Sequence, residues 1–307
     1  MNTWKGLLTR EWLEHKGAIG WGPVITFGIF VGLILLSLAL AGTLKVDIDG
    51  TEHTSVRSLF DDTLSNEIRS EAALRHRLDE IRHGVAGIFI FVFAIVAFFT
   101  LLGMLYDDRK DRSVLFWKSI PASDTQTVLS KYITIAWVAP VATIAMIMAT
   151  YLFIFLVLSF LMPGEGVLTI GNLWTNSGLI MGFTELVIGF AINGLWVMPI
   201  WAWLLFVSSA VPKGPFVWAV FAPATVCLVE RIAFGTKVLA QGIFNHMDFK
   251  AIPTVVDISL DDSSGHRAMD IGGSFALLAT SDMWIGIIIG AALLYGAIYF
   301  RNRNNEI

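Results

Sequence analysis

VAGIFIFVFAIVAFFTLLGMLY, residues Val85–Tyr106, is uncharged from end to end, and its reading decides the fold. A backbone placed in hydrocarbon has no water to bond with, so such a run is stable there only as a helix whose own N–H and C=O groups pair. Five further stretches read the same way: Ile19–Leu40, Ile133–Met162, a broken region within Leu179–Val211, Phe216–Phe234 and Met283–Phe300. Each reaches, to within about two residues, the ~20 that a hydrocarbon core needs. Ile133–Met162 is longer, which predicts a span that tilts or protrudes. The expected fold is an all-α integral membrane protein, with residues 1–307 forming a single domain of six transmembrane helices.

Composition agrees. Hydrophobic residues make up 55% of the 307 positions and charged ones 15%, where a soluble domain carries about a quarter charged. Mean hydropathy is +0.69. A formal net charge of −4 gives no sign of a nucleic-acid partner. The one cysteine, Cys227, lies inside an apolar run, which excludes a disulfide framework and a cysteine metal site. Met1–Lys16 contains Glu11 and Glu14 and lacks the purely basic character of a signal peptide. Ala39-Leu40-Ala41 resembles a cleavage site, but the apolar run before it is about twice the usual length, which predicts a retained anchor.

Within Leu179–Val211, Gly182, Gly189, Gly194 and Pro199 interrupt the apolar pattern. The expectation there is an outer amphipathic or re-entrant piece, Leu173–Ile188, followed by a true span from Phe190 to Val211. Pro140, Pro199 and Pro223 are each placed to kink a span.

Orientation follows from the cations in the short connections. Lys5, Arg10 and Lys16 precede the first span; Arg109, Lys110, Arg112, Lys118 and Lys131 follow the second; Lys213 precedes the fifth; Arg301 and Arg303 follow the last. With six crossings all fall on one side, which the positive-inside rule makes the cytoplasm, so both termini are expected inside. The opposite side receives residues 43–83 and 235–282. Trp21, Trp137, Trp218 and Trp284 lie near span ends, as interfacial anchors or as protein-facing filler.

The 107–131 link is the most informative polar segment. Asp107-Asp108-Arg109-Lys110-Asp111-Arg112 alternates charge, and Val114-Leu115-Phe116-Trp117 follows as an apolar block flanked by Lys118. Pro121 stops any helix, and Ser123 with Gln126 forms a capping box for the next one. Aromatics among cations suit a knob that docks on another protein, or a helix lying on lipid headgroups.

The run Asp111-Arg112-Ser113-Val114-Leu115-Phe116-Trp117-Lys118-Ser119-Ile120-Pro121, with Thr127-Val128-Leu129-Ser130-Lys131 after it, resembles the permease subunit of type-2 ABC exporters. So does Pro199-Ile200-Trp201-Ala202-Trp203-Leu204-Leu205-Phe206-Val207-Ser208-Ser209-Ala210, with Pro215-Phe216-Val217-Trp218-Ala219 and Glu230 beyond. The resemblance covers nearly the whole chain. It implies that 107–131 carries a coupling helix seated on a separate ATPase subunit through Arg109, Arg112, Leu115, Phe116, Trp117 and Lys118. It implies an interfacial elbow helix at residues 2–16, where Trp4, Leu7, Leu8 and Trp12 share a face. It further implies a dimer in a bacterial cytoplasmic (inner) membrane, with ATP and Mg held by the partner subunit and no cofactor by this chain. The sequence has no G-x-x-x-x-G-K-[ST] phosphate loop, so nucleotide hydrolysis is assigned to the partner and not to this chain.

Ionisable groups inside a span face protein or a water-filled cavity. At Glu230, beside Arg231, the expectation is a structural or gating ion pair, the alternative being contact with a passing cationic or zwitterionic head group. Glu185 is expected at the outer interface, with Asn193 and Thr184 as weaker polar contacts. Gly286 and Gly290 are a small-xxx-small pair, a candidate for the dimer seam. Outside the membrane, Val56, Phe60, Leu64 and Ile68, then Leu74, Leu78 and Ile81, give residues 51–83 one apolar face, which predicts an amphipathic helix or helical hairpin. His76 and His83 lie two helical turns apart, a spacing weighed for a metal pair. Ile252–Leu260 reads as a strand and Asp261–Gly265 as a turn. The rival reading is a membrane sensor or scaffold that relays an outer signal through the inner loop.

Overall fold

Two helices about twice as long as a bilayer core is thick frame the molecule; in each a polar end continues an apolar centre, and the first runs on through Pro23. In the computed structural model the described residues are 3–41, 46–48, 51–53, 68, 70–110, 123–161, 164, 166–252 and 271–303. Helix α1 (Thr3–Ala41) has 39 residues and α2 (Glu71–Lys110) has 40, each close to 60 Å at ~1.5 Å per residue. Between them, β1 (Val46–Ile48) and β2 (Thr51–His53) pair antiparallel, Val46 opposite His53. Then come α3 (Asp124–Ile133), a π turn (Thr134–Val138), α4 (Ala139–Leu161) and α5 (Ile170–Thr175). Helices α6 (Leu179–Trp196), α7 (Met198–Ala210), α8 (Pro215–Phe234), α9 (Val238–Met247), α10 (Ile271–Leu277) and α11 (Ser281–Arg303) complete the order.

Among the described residues the protein is thus helical apart from one short strand pair, and six helices are long and apolar enough to cross a membrane: Trp4–Leu40, Glu71–Lys110, Asp124–Leu161, Ile170–Trp196, Pro215–Phe234 and Ser281–Arg303. That fits a multi-pass membrane protein. The strand pair departs from a wholly helical reading of the outer segment. Val56, Phe60 and Leu64 lie outside the described residues; Ile68, Leu74 and Leu78 are buried as their spacing predicts, whereas Ile81, expected on the same face, is exposed.

Two sequence expectations are corrected. Residues 2–16 do not form a separate elbow among the described residues, since α1 continues unbroken through Lys16 into the apolar run. Nor does a boundary fall between Ile188 and Phe190, because α6 passes straight through both. The glycines read as interruptions are sites of close packing. A Cβ on Gly182 would lie 2.6 Å from Arg82 Nη1, and one on Gly189 would lie 2.7 Å from the Ala251 carbonyl oxygen. The break comes at Val197 (φ −82°, ψ 1°), ahead of Pro199, which has no N–H to continue the ladder.

Helices α6 and α7 then run beside α2 for its length, in the same direction. At one end Arg82 Nη1 donates to the Gly178 carbonyl at 2.6 Å; at the other the Ser208 hydroxyl donates to the Leu102 carbonyl at 2.7 Å. The segment that folds back into the bundle is α9 and the residues after it. His246 stacks on Trp196, with ring centres 4.8 Å apart, and Phe249 meets Phe93 and Trp201 edge-on. Lipid tails are as apolar as leucine, so helices in a membrane associate through close packing more than through water exclusion. Accordingly α11 presents glycines to its neighbours: Gly290 to Met198 and Gly296 to Phe206.

Candidate functional site

The amphipathic face at the start of α1 turns inward, with Leu7 buried and Trp4, Leu8 and Trp12 half-buried. One turn past Leu7, on the same face, lies Glu11, which is 0% exposed. A carboxylate removed from water needs a partner. It finds one in Lys131, also 0% exposed, whose Nζ donates to Glu11 Oε2 at 3.1 Å. The expected capping box fixes the helix that carries Lys131: Gln126 N donates to Ser123 Oγ at 3.2 Å and Ser123 N donates to Gln126 Oε1 at 3.1 Å.

Lys131 also lies 3.3 Å from Asp108 Oδ2, in the last turn of α2. The same oxygen receives Arg301 Nη1 at 3.3 Å, from the last turn of α11. Arg301 Nε donates to Asp124 Oδ1 at 2.9 Å. Arg10 completes the array, 3.8 Å from Asp108 Oδ1 and 3.3 Å from Glu14 Oε2. Glu11, Glu14, Asp108 and Asp124 thus face Arg10, Lys131 and Arg301, and four helices are tied at one end of the bundle. The start of α1 and the end of α11 both belong to that end.

Stripping several ions of water costs several kcal/mol each, and the attraction between them offsets this only with good geometry. Such an array adds little net stability. Its effect is to fix which helix ends meet, and to make separating them expensive. Asp108 and Asp124 lie on either side of residues 111–122, and Arg301 holds both.

Arg112, Leu115, Phe116, Trp117 and Lys118 lie outside the described residues. Arg109 is described, and it is engaged within the fold. Its Nη2 donates to the Ser208 and Val211 carbonyls at 2.5 and 2.9 Å, closing the C-terminus of α7.

Glu230 does not pair with Arg231. Its carboxylate accepts from Thr236 Oγ1 at 2.6 Å, from Val238 N at 2.8 Å and from Leu239 N at 3.1 Å. It thus caps the N-terminus of α9, where free N–H groups and the helix dipole favour an anion. Arg231 is exposed. Gly286 and Gly290 are buried against their own chain rather than open to a second copy: a Cβ on Gly286 would lie 2.5 Å from His246 Nε2, and one on Gly290 2.6 Å from Met198 Cγ. Glu185 is half-buried, one turn from the Gly182 that lies under Arg82. The Thr184 hydroxyl returns to the Ile180 carbonyl at 2.9 Å. Asn193 is fully buried, and among the described residues neither atom of its carboxamide has a hydrogen-bond partner.

Trp21, Trp218 and Trp284 are exposed, as interfacial anchors require, whereas Trp137 faces protein and donates to the Ala191 carbonyl at 3.2 Å. His76 and His83 are separated by about 10 Å of rise along α2. Their ligand atoms are not among those that converge in the described residues, and His76 lies 3.6 Å from Glu80 instead. Glu11, Glu14 and His15 bring ligand atoms within 4.8 Å of one another. Lys131 and Arg10 already supply the positive charge there, so the trio belongs to the ion array.

Sequence reasoning took Lys131 and Arg301 as markers of sidedness and Glu11 as a polar start to the chain; none was read as a site. One signal was available. Glu11 interrupts the apolar face that Trp4, Leu7, Leu8 and Trp12 define. Comparison with protein-family models, with curated proteins and with solved structures finds no match to this chain.

Proposed function

We propose that the chain is the membrane-spanning permease subunit of an ATP-driven ABC exporter in a bacterial cytoplasmic membrane, paired with a second copy and with separate ATPase subunits. The observation that carries this reading is Arg301 holding Asp108 and Asp124, the two flanks of the loop that resembles a coupling helix. A subunit driven from outside the membrane needs such a transmission point: a short docking loop whose displacement cannot be absorbed locally. In this reading the end of the bundle bearing the ions faces the cytoplasm, with both termini there. Phe116 and Trp117 supply the knob, and Arg112 and Lys118 its charged rim. The apolar surface of α8, on which only Ala219 and Glu230 are buried, is available to lipid and to the second copy.

The test is co-expression with a candidate ABC ATPase subunit that carries its own phosphate-binding loop. Phe116→Ala with Trp117→Ala is expected to lower ATPase co-purification and export while membrane insertion is preserved. Arg301→Gln is expected to preserve co-purification and to lower export. Unchanged co-purification and export in the aromatic double variant would refute the docking role.

A further inference from the structure

Two irregular stretches of backbone, on different spans, are packed directly against each other in the interior. One is the π turn Thr134–Val138, where the helix between α3 and α4 winds one residue too wide. The other is the α6–α7 break at Val197, ahead of Pro199. Each would be an ordinary local defect if it stood alone.

They are fastened together by side chains whose positions depend on both irregularities. The Tyr132 hydroxyl, just before the π turn, donates to the Gly194 carbonyl at 2.5 Å, just before the break. Trp137, inside the π turn, donates its indole N–H to the Ala191 carbonyl at 3.2 Å. Gly194 leaves no room for a side chain: a Cβ would lie 2.9 Å from Trp137 Nε1 and 3.2 Å from the Ala136 carbonyl oxygen. A π turn relaxing to α geometry rotates everything beyond it by about 100°, one residue's share of a turn. Trp137 could not make that movement while Gly194 stayed in place.

Asn193 indicates that the described arrangement has an alternative. It neighbours Gly194, it is fully buried, and both atoms of its carboxamide lack partners among the described residues. A buried amide without partners is costly, and more so in a bundle surrounded by lipid. A state that pairs it gains what this one forgoes.

We propose that the π turn and the α6–α7 break form one coupled hinge, moving together between two states that differ in whether the Asn193 carboxamide is paired. Tyr132 and Gly194 latch the described state, and Asn193 favours the other. The hinge does not depend on what the protein transports, or on whether it does.

The experiment is hydrogen–deuterium exchange on the full chain in lipid nanodiscs, following backbone amides at 132–138 and at 191–198. Asn193→Leu keeps the shape and removes the unpaired amide, so opening becomes rarer, and exchange is expected to slow about tenfold in both segments. Tyr132→Phe strands the Gly194 carbonyl in the described state, so exchange is expected to quicken in both. The crossed effects are decisive: a change on α6 must alter exchange at the π turn, and a change before the π turn must alter exchange on α6. Effects confined to the mutated helix, or faster exchange in Asn193→Leu, would overturn the proposal. Retained thermal stability of Tyr132→Phe distinguishes release of the latch from general loosening.

Discussion

Replacing Lys131 with methionine removes one charge and leaves the side chain's length almost unchanged, so it isolates what the ammonium contributes. In the fold that ammonium lies 3.1 Å from Glu11 and 3.3 Å from Asp108. At an effective dielectric of about 20, a 3.1 Å contact corresponds to roughly 5 kcal/mol of attraction, before the desolvation that offsets it. The two carboxylates do not lose equally. Asp108 retains Arg301 at 3.3 Å and Arg10 at 3.8 Å, whereas Glu11 retains only Arg10 at 3.9 Å and His15 at 3.8 Å. Glu11 is therefore the group left buried without a close partner. Breaking a buried pair in this way costs about 3–5 kcal/mol. The expected measurement is a loss of that size in reversible unfolding of the purified protein in mixed micelles, followed by tryptophan fluorescence.

The asymmetry supplies the sharper half of the test. Adding Glu11→Gln to Lys131→Met removes the stranded charge and is expected to restore roughly 2 kcal/mol, within the range measured for residues in direct contact. Adding Asp108→Asn instead is expected to deepen the loss, because it strips Arg301 of a partner. If Lys131→Met costs under about 1 kcal/mol, the value of an exposed pair, or if both second changes act alike, the account of the array is wrong.

Glu230→Ala is expected to cost about 1–2 kcal/mol, as loss of a helix cap does, with faster amide exchange confined to Val238–Met247; uniform exchange across α8 and α9 would contradict the capping role. Gly286→Val drives a side chain into His246 and is expected to destabilise the single chain by about 1–3 kcal/mol, while an unchanged chain that loses self-association would return Gly286 to a dimer seam. Cysteine placed at Trp117 in a Cys227→Ser background is expected to react with a membrane-impermeant maleimide only after the cell interior is opened. Labelling from outside would reverse the orientation and remove the loop from reach of any ATPase.

The spans were legible because their cause is local. A run such as Val85–Tyr106 has one stable form in hydrocarbon, whatever its neighbours do. The capping box at Ser123 was legible for the same reason, as both partners lie within one turn. Glycine misled because its meaning is not local: Gly182, Gly189, Gly286 and Gly290 look alike in sequence, and each is present for a neighbour that only the fold supplies, namely Arg82, Ala251, His246 and Met198. Glu230 misled for a related reason. The adjacent arginine was the obvious partner, but consecutive helical residues point about 100° apart, and the start of α9 lay within reach.

Charge was the hardest property to read, because one residue type serves two purposes. Counting cations for sidedness treats Lys131 and Arg301 as solvated, yet both are buried and matched by carboxylates, so neither can respond to the membrane's surface potential as a free charge does. The orientation proposed above must therefore rest on the remainder. At the end where the ions gather, Lys5, Lys110, Lys213 and Arg303 are exposed. At the opposite end Arg75, Arg77, Arg231 and Lys237 are exposed, and Arg82 is paired to Asp79. Lys16 is a fifth exposed cation at the first end, so among the described residues the excess there is a single charge, and the rule acts on Lys and Arg near the span ends. Neutralising the buried cations should disturb the fold and leave orientation alone; neutralising the exposed ones should do the reverse.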